Sequence, residues 1–377
     1  MDSLPPHRYR QLGLVAGVGA DVLESAAAQH ERNEISGTQP ILSLAHLSRL
    51  TGASHDYLRS VVERRQDPYT EISKPKRSGG RRAIAMPHPL LMSVQRFILR
   101  SSLSNLSLHP RSFAYQQGRS AVDCASLHIG AKWLIKLDLH DFFGSISDAM
   151  VYPVFRDQGY SELVSFELMR LCTRGPWLPQ DLRRRDTLME AYPAIPSYAS
   201  GSRGFLPQGA PTSGALANAV ATPLDHALFK LSSARGLVYT RYSDDLTFSS
   251  AGHMSRADAA TVVGRVARLV SKQGLVLHHK KTRVIPPRAR HVVLGLVVGA
   301  DEVRLRPEFR RQVEVHVHSV GARGLFSHAE ARGFTSVLGM VSYVDGCLAY
   351  AAGVEPEWAH RQRREWAAAL TACGFPR

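Results

Sequence analysis

The stretch Tyr242-Ser243-Asp244-Asp245 constrains this chain more than any other. Two adjacent carboxylates stand between short apolar runs, Leu237-Val238-Tyr239 before them and Leu246-Thr247-Phe248 after them. Apolar runs flanking a short polar turn predict a β-hairpin with the acids at its tip. Neighbouring strand residues point to opposite faces, so a tight turn is needed to keep both acids near one site. Two carboxylates held together repel each other unless a cation lies between them. A divalent-metal site is one reading of the tip, and a solvated acidic turn is the other.

A second acidic segment precedes it, Leu137-Asp138-Leu139-His140-Asp141-Phe142-Phe143. Residues 132–139 alternate and are rich in apolar residues, which predicts a strand with Asp138 and His140 on one face and Leu137 and Leu139 on the other. An aspartate on an otherwise apolar strand is costly unless it is paired or bound to metal. Asp138 with Asp244 and Asp245 predicts a three-carboxylate site for two Mg²⁺ ions, which in such sites lie about 3.5–4 Å apart. Hard oxygen ligands favour that ion. A strand-end capping acid is the alternative for Asp138 alone, and Asp141 is expected to support the site rather than to bind metal.

Composition narrows the partner. The chain has 377 residues, 44% of them hydrophobic, enough for a large core and two or three subdomains. It has no run of about 18 apolar residues, so no membrane span is expected, and residues 1–10 lack the apolar stretch of a signal peptide. The four cysteines form no CxxC pair, which argues against structural zinc and fits free thiols in a reducing cytoplasm. The formal net charge is +15. A chain this basic ordinarily meets a polyanion, with nucleic acid first among them. The charge gathers at Lys74-Pro75-Lys76-Arg77, Arg81-Arg82, Arg183-Arg184-Arg185, Lys280-Lys281 and residues 361–364. Each cluster alone reads as a solvated face, and together they suit a surface that tracks phosphates.

Local signals set the organisation. Residues 1–65 read as short helices, among them an Ala-rich one over 21–32 and one capped by Ser54 with Tyr57, Leu58, Val61 and Val62 on one face. Gly79-Gly80 joins two predicted strands, 69–73 and 81–86. Helices are expected over 90–103, after Ser147, over 212–233 and over 255–273, with a mainly helical end from Pro307. Residues 174–203, with four prolines and three consecutive arginines, read as a loop insertion. Strands and helices mix without a βαβ repeat, so the expected class is α+β.

The ordered motifs resemble those of reverse transcriptases, most closely the bacterial retron enzymes, over residues 69–298. The resemblance rests on the fingers motif Ile72-Ser73-Lys74-Pro75-Lys76-Arg77-Ser78-Gly79-Gly80-Arg81-Arg82-Ala83-Ile84, the acidic strand, the loop Leu206-Pro207-Gln208-Gly209-Ala210-Pro211-Thr212-Ser213, the acidic hairpin, Lys280-Lys281-Thr282, and Val293-Leu294-Gly295. Three spellings depart from the retron pattern. Ser243 stands for alanine, Cys124 replaces asparagine in Cys124-Ala125-Ser126-Leu127-His128, and Leu294 replaces threonine in Val293-Leu294-Gly295.

The resemblance implies a right-hand polymerase: an N-terminal helical region (1–65), fingers (66–130), palm (131–300, with the 174–203 insertion) and an RNA-binding helical thumb (301–377). It implies that Asp138, Asp244 and Asp245 hold two Mg²⁺ ions for phosphoryl transfer. Lys76, Arg82, Phe143, Gln208, Gly209 and Lys281 would meet the incoming nucleotide, Phe143 by blocking a ribose 2′-hydroxyl. Phe143 as a core residue and Gln208-Gly209 as a plain turn before a helix are the alternatives. Tyr242, Leu294, Gly295, His128, Arg304, Arg310 and Arg311 would contact primer or RNA, and a satisfied helix histidine is the alternative for His128. The implied partners are dNTPs, a cognate structured non-coding RNA serving as template and 2′-hydroxyl primer, its branched DNA product, and a separate effector protein in anti-phage defence. Two other readings compete: a different defence-type or intron-type bacterial reverse transcriptase, and a non-catalytic RNA-binding protein of the same fold.

Overall fold

The computed structural model describes residues 6–75, 81–175 and 204–375. In chain order the first elements are α1 (Pro6–Val15), α2 (Ala20–Ile35), α3 (Leu44–Thr51), α4 (His55–Val62), β1 (Tyr69–Pro75), β2 (Arg81–Pro87) and α5 (Pro89–Ser102). Next come α6 (Ala121–Ser126), β3 (Trp133–Asp138), α7 (Phe142–Ser145), α8 (Asp148–Asp157), α9 (Glu162–Cys172) and α10 (Ser213–Ser233). Then follow β4 (Val238–Tyr242), β5 (Asp245–Ser250), α11 (Arg256–Lys272), β6 (Arg283–Ile285), β7 (Val292–Val293), β8 (Leu296–Val298) and β9 (Val303–Leu305). The chain ends in α12 (Pro307–Arg323), α13 (Leu325–Ala331), α14 (Val337–Ala352) and α15 (Pro356–Ala372).

The fold is α+β, with three sheets among the described residues whose strand pairs are all antiparallel. Local chemistry starts the helices where expected. The Ser54 side chain accepts from the Tyr57 N–H and the Ser147 side chain from the Met150 N–H. Pro307 opens α12, where its missing N–H costs nothing.

The chain divides into two compact units, each gathered from three stretches. The first takes Met1–Gln117, Leu139–Leu228 and Val266–His278. At its centre lies α9, buried from Val164 to Cys172. A helix covered on all sides belongs to a core, and α4, α5 and α8 pack around it. Gln95 on α5 donates to the Leu171 carbonyl (2.8 Å) and the Tyr69 hydroxyl (2.9 Å). Arg174 grips Asp67 (2.8 Å from Nε) beside the Tyr69 ring. Arg174 and Gly175 are the described beginning of the expected insertion, and 176–203 lie outside the described residues.

The second unit takes Gly118–Asp138, Phe229–Arg265 and His279–Arg377. It holds a four-stranded sheet in the order β4-β5-β3-β6 and a three-stranded sheet β7-β8-β9. Its apolar core joins Leu134 and the β7–β9 sheet to α12–α15, with Val313, Val317, Met340, Val344, Leu348 and Trp366 buried.

Candidate active site

β4 and β5 pair with Tyr242 opposite Asp245, leaving Ser243 and Asp244 as a two-residue turn. Ser243 has φ +59, and the positive value falls on the first turn position alone, as in a type II′ turn. Glycine normally takes that position, and a left-handed non-glycine residue costs about 1–2 kcal/mol. Buried Arg241 donates to the Ser243 carbonyl (3.2 Å) and steadies the turn from behind.

The sheet register then brings the third acid in. Asp138, at the end of β3, lies directly across from Asp245. Such cross-strand pairs place their Cβ atoms roughly 4.5–5.5 Å apart. Burial above all, and then Asp138, push the Asp244 carboxyl above its ordinary range, while Lys281 and a hydrogen bond from Ser243 pull it back. The Asp245 carboxyl is raised by burial first and by Asp244 next, with Lys136 opposing. Burial and mutual repulsion thus both disfavour ionised carboxylates side by side at the tip.

Lys281 supplies the nearest cation. Its Nζ lies 2.9 and 2.8 Å from the two Asp138 carboxylate oxygens. The resemblance placed this lysine at the triphosphate, but in the structure it sits on an acid. Among the described residues, no three His, Cys, Asp or Glu side chains are gathered closely enough to hold a metal ion. The three carboxylates are thus a cluster of charge rather than a closed ligand shell, with Asp138 paired to Lys281. Its chemistry nonetheless fits a divalent cation: the oxygens are hard, partly buried and mutually repelling.

Behind the hairpin stands α6. His128 just beyond it is 1% exposed. Its Nδ1 lies 2.7 Å from the Ser249 hydroxyl and its Nε2 2.8 Å from the Thr240 hydroxyl. The Cys124 thiol also bonds Thr240, and burial pushes it up to about 11. These residues bolt α6 to β4 and β5. The expected RNA contact of His128 is corrected accordingly: a ring this buried, with both nitrogens engaged, is the satisfied histidine.

Of the residues expected at the nucleotide, those on β2, on α7 and in the loop before α10 lie in the first unit. Gln208 accepts the Ala85 N–H at its carbonyl (2.8 Å), tying the loop before α10 to β2. Gly209 has φ +123, and a Cβ there would stand 2.8 Å from Ile84 Cγ2, so glycine permits the close approach. Arg82 is exposed on β2. Phe142 is buried while Phe143 is only half-buried, which separates the core phenylalanine from the presented one. Lys76 lies outside the described residues.

The remaining candidates fall in the second unit. Tyr242 ends β4, half-buried. Leu294 (φ +50) and Gly295 (φ +83) form the two-residue turn between β7 and β8. Arg304 on β9 pairs with Glu302, 2.6 Å from its Nε. Arg310 reaches Glu355 (3.5 Å) and lies over the Trp358 ring. Arg304 and Arg310 thus already have partners within the protein, whereas Arg311 is exposed. Sequence reasoning gave no role to Lys136, Thr240 or Ser249, nor to Arg241 as the prop behind the turn. A polar residue or arginine inside an apolar strand was the available signal.

The chain belongs to the reverse transcriptase (RNA-dependent DNA polymerase) family, whose model matches residues 72–298. Its relatives are the retron enzymes that the motifs resemble. The retron Ec86 reverse transcriptase of Escherichia coli is 29% identical over 74% of this chain and 79% of its own. The retron Mx162 and Mx65 reverse transcriptases of Myxococcus xanthus are 33% and 34% identical, over 77% and 78% of this chain. The chain spans 61% and 64% of those two proteins. The fold is accordingly that of a right-hand polymerase. Enzymes of the family use divalent metal ions. No helix among the described residues is long and apolar enough to cross a membrane.

Proposed function

We propose that the chain is the RNA-directed DNA polymerase of a retron. It copies a cognate structured RNA from the 2′-hydroxyl of an internal guanosine and leaves a DNA joined to RNA by a branch. The observation that carries the reading is the register placing Asp138 against Asp245, with Asp244 in the adjoining turn. Asp138, Asp244 and Asp245 would hold two Mg²⁺ ions, which when bound lower the pKa of a primer hydroxyl and neutralise charge on the departing pyrophosphate.

The chain's own residues perform the rest. Lys281 balances Asp138, and would be free to meet phosphate if Asp138 held a metal ion. Arg82, with Lys76, grips the triphosphate as a charge-assisted donor. Gln208 and Gly209 let backbone approach the nucleotide, and Phe143 excludes a ribose 2′-hydroxyl. Tyr242 flanks the primer end, the Leu294-Gly295 turn supports it, and Arg311 leads the arginines that meet RNA backbone. The linear assignment to fingers, palm and thumb, the cytoplasmic location, and a defence role with a separate effector complete the proposal.

Sequencing the nucleic acid that co-purifies with the protein tests it. A short RNA joined to single-stranded DNA through a 2′-5′ branch is expected. DNA without a defined RNA, or no DNA, would sink the retron reading. Asp244→Asn should abolish dNTP incorporation and keep RNA binding; unchanged incorporation would show that the acids are not the metal site.

A further inference from the structure

Tyr115 has no part in the proposal above, although its local geometry is costly. Its backbone is left-handed, φ +59, and the residue is 54% exposed. Neither is usual for a large aromatic residue. The cause lies in α10. Asn218, fully buried there, donates from Nδ2 to the Ala114 carbonyl (2.7 Å) and accepts at Oδ1 from the Ser112 hydroxyl (3.2 Å). Gln116 donates back to the Ser112 carbonyl (2.8 Å). The loop is thereby fixed on both sides of Tyr115, which is left to point outward.

The ring lies over Gly214, in the first turn of α10. A Cβ on Gly214 would stand 2.5 Å from the Tyr115 Cγ and 2.8 Å from Cδ1. From that seat the ring meets Phe143 edge-on, with centroids 5.9 Å apart and planes at 63°. Phe143 also neighbours Phe142, with ring centroids 5.7 Å apart. Phe143 itself rides on α7, a helix of four residues entered through Asp141 at φ +43. So short a helix fixes a side chain poorly by itself. A half-buried ring on such a turn would change rotamer readily unless a neighbour stopped it.

We propose that Tyr115 is a positioning residue for sugar selection. It packs its edge against Phe143 and keeps that ring where a ribose 2′-hydroxyl would have to lie. Gly214 supplies the space, and Asn218 supplies the anchor. The inference rests on reading Phe143 as the sugar gate. It adds a second ring, held by a different element, without which the gate can swing.

The test is the ratio of kcat/KM for a dNTP to that for the matched rNTP, measured on the full chain with one primer–template. Phe143→Ala should lose most of the discrimination. Tyr115→Ala should lower the ratio by roughly threefold to tenfold, the scale of one aromatic pair. Tyr115→Phe should keep the wild-type ratio, because the contact needs the ring edge. Gly214→Ala should act like Tyr115→Ala by displacing the ring. If Phe143→Ala admits ribonucleotides while Tyr115→Ala and Gly214→Ala discriminate like wild type, the inference is overturned and the gate stands. A Tyr115→Phe ratio as low as that of Tyr115→Ala would also overturn it. If Phe143→Ala leaves the ratio unchanged, the gate reading fails and this inference falls with it.

Discussion

Two hairpins of the second unit have the same local form and different foundations. β4–β5 and β7–β8 each turn in two residues with a non-glycine residue at positive φ, Ser243 in one and Leu294 in the other. The β7–β8 hairpin rests on apolar packing, with Val293, Leu296 and Val298 in the core that α12–α15 complete. The β4–β5 hairpin has a polar backing made of Arg241, Thr240, Ser249 and His128. A turn that must carry carboxylates cannot be held by burial alone, since burial raises the cost of their charge. Hydrogen bonds behind the sheet fix its position instead, and fully satisfied polar networks specify one arrangement. The acidic tip therefore carries a charge tension that the apolar tip lacks, although both turns hold a non-glycine residue at positive φ.

The largest expected effect bears on that tension. Asp244→Asn should cut dNTP incorporation by roughly a thousandfold or more, as loss of a charge-stabilising group at a reaction centre does. The same variant should raise the melting temperature of the metal-free protein at neutral pH. The folded-state pKa of Asp244 is raised, so its relative stabilisation is present below the unfolded carboxylate range. That stabilisation is lost as pH rises through the elevated folded value. The gap between variant and wild type, followed by thermal melting, should therefore close on acidification. A melting temperature that falls at neutral pH would break the account. Cation-dependent activity should likewise decline, as pH is lowered, sooner than an ordinary carboxylate would require.

Next in size is the bolt. His128→Ala leaves the Thr240 and Ser249 hydroxyls buried without their partner, and should destabilise the fold by about 2–3 kcal/mol. Denaturant unfolding would show it. An unchanged midpoint with weakened RNA binding would restore the RNA-contact role.

The turns themselves come third. Gly295→Val should cost about 1–3 kcal/mol because a β-branched residue resists φ +83. Ser243→Gly should stabilise by up to about 1 kcal/mol by relieving φ +59. Opposite signs in paired melts would sharpen the comparison, and equal signs would end it.

The smallest effect concerns Lys281. If it balances Asp138 before a cation arrives, Lys281→Met should tighten Mn²⁺ binding a few-fold, read by spin-resonance titration, because a competing positive charge is gone. Weaker binding would mean that Lys281 holds Asp138 in its ligand position.

Much of this was legible locally. The acidic hairpin, the Ser54 and Ser147 caps and the helix opening at Pro307 all follow from residues within one or two turns of each other. The core helix α9 was not legible, because a helix buried all round has no amphipathic stripe to read. His128 remained ambiguous for a different reason. A histidine beside a helix looks alike whether it faces RNA or a strand 112 residues away.

The sequence by itself determined the hairpin, its acids and the family, because turn geometry and motif chemistry are short-range. Only the tertiary structure decided which charges face each other. It paired Asp138 with Asp245, seated Lys281 on Asp138 across 143 residues, and set Tyr115 against Phe143. Those pairings depend on strand register and on the packing of distant elements, and neither is written in any one stretch of chain. The acids at Tyr242 to Asp245 announce what the protein handles. The register beneath them decides how they are charged, held and balanced.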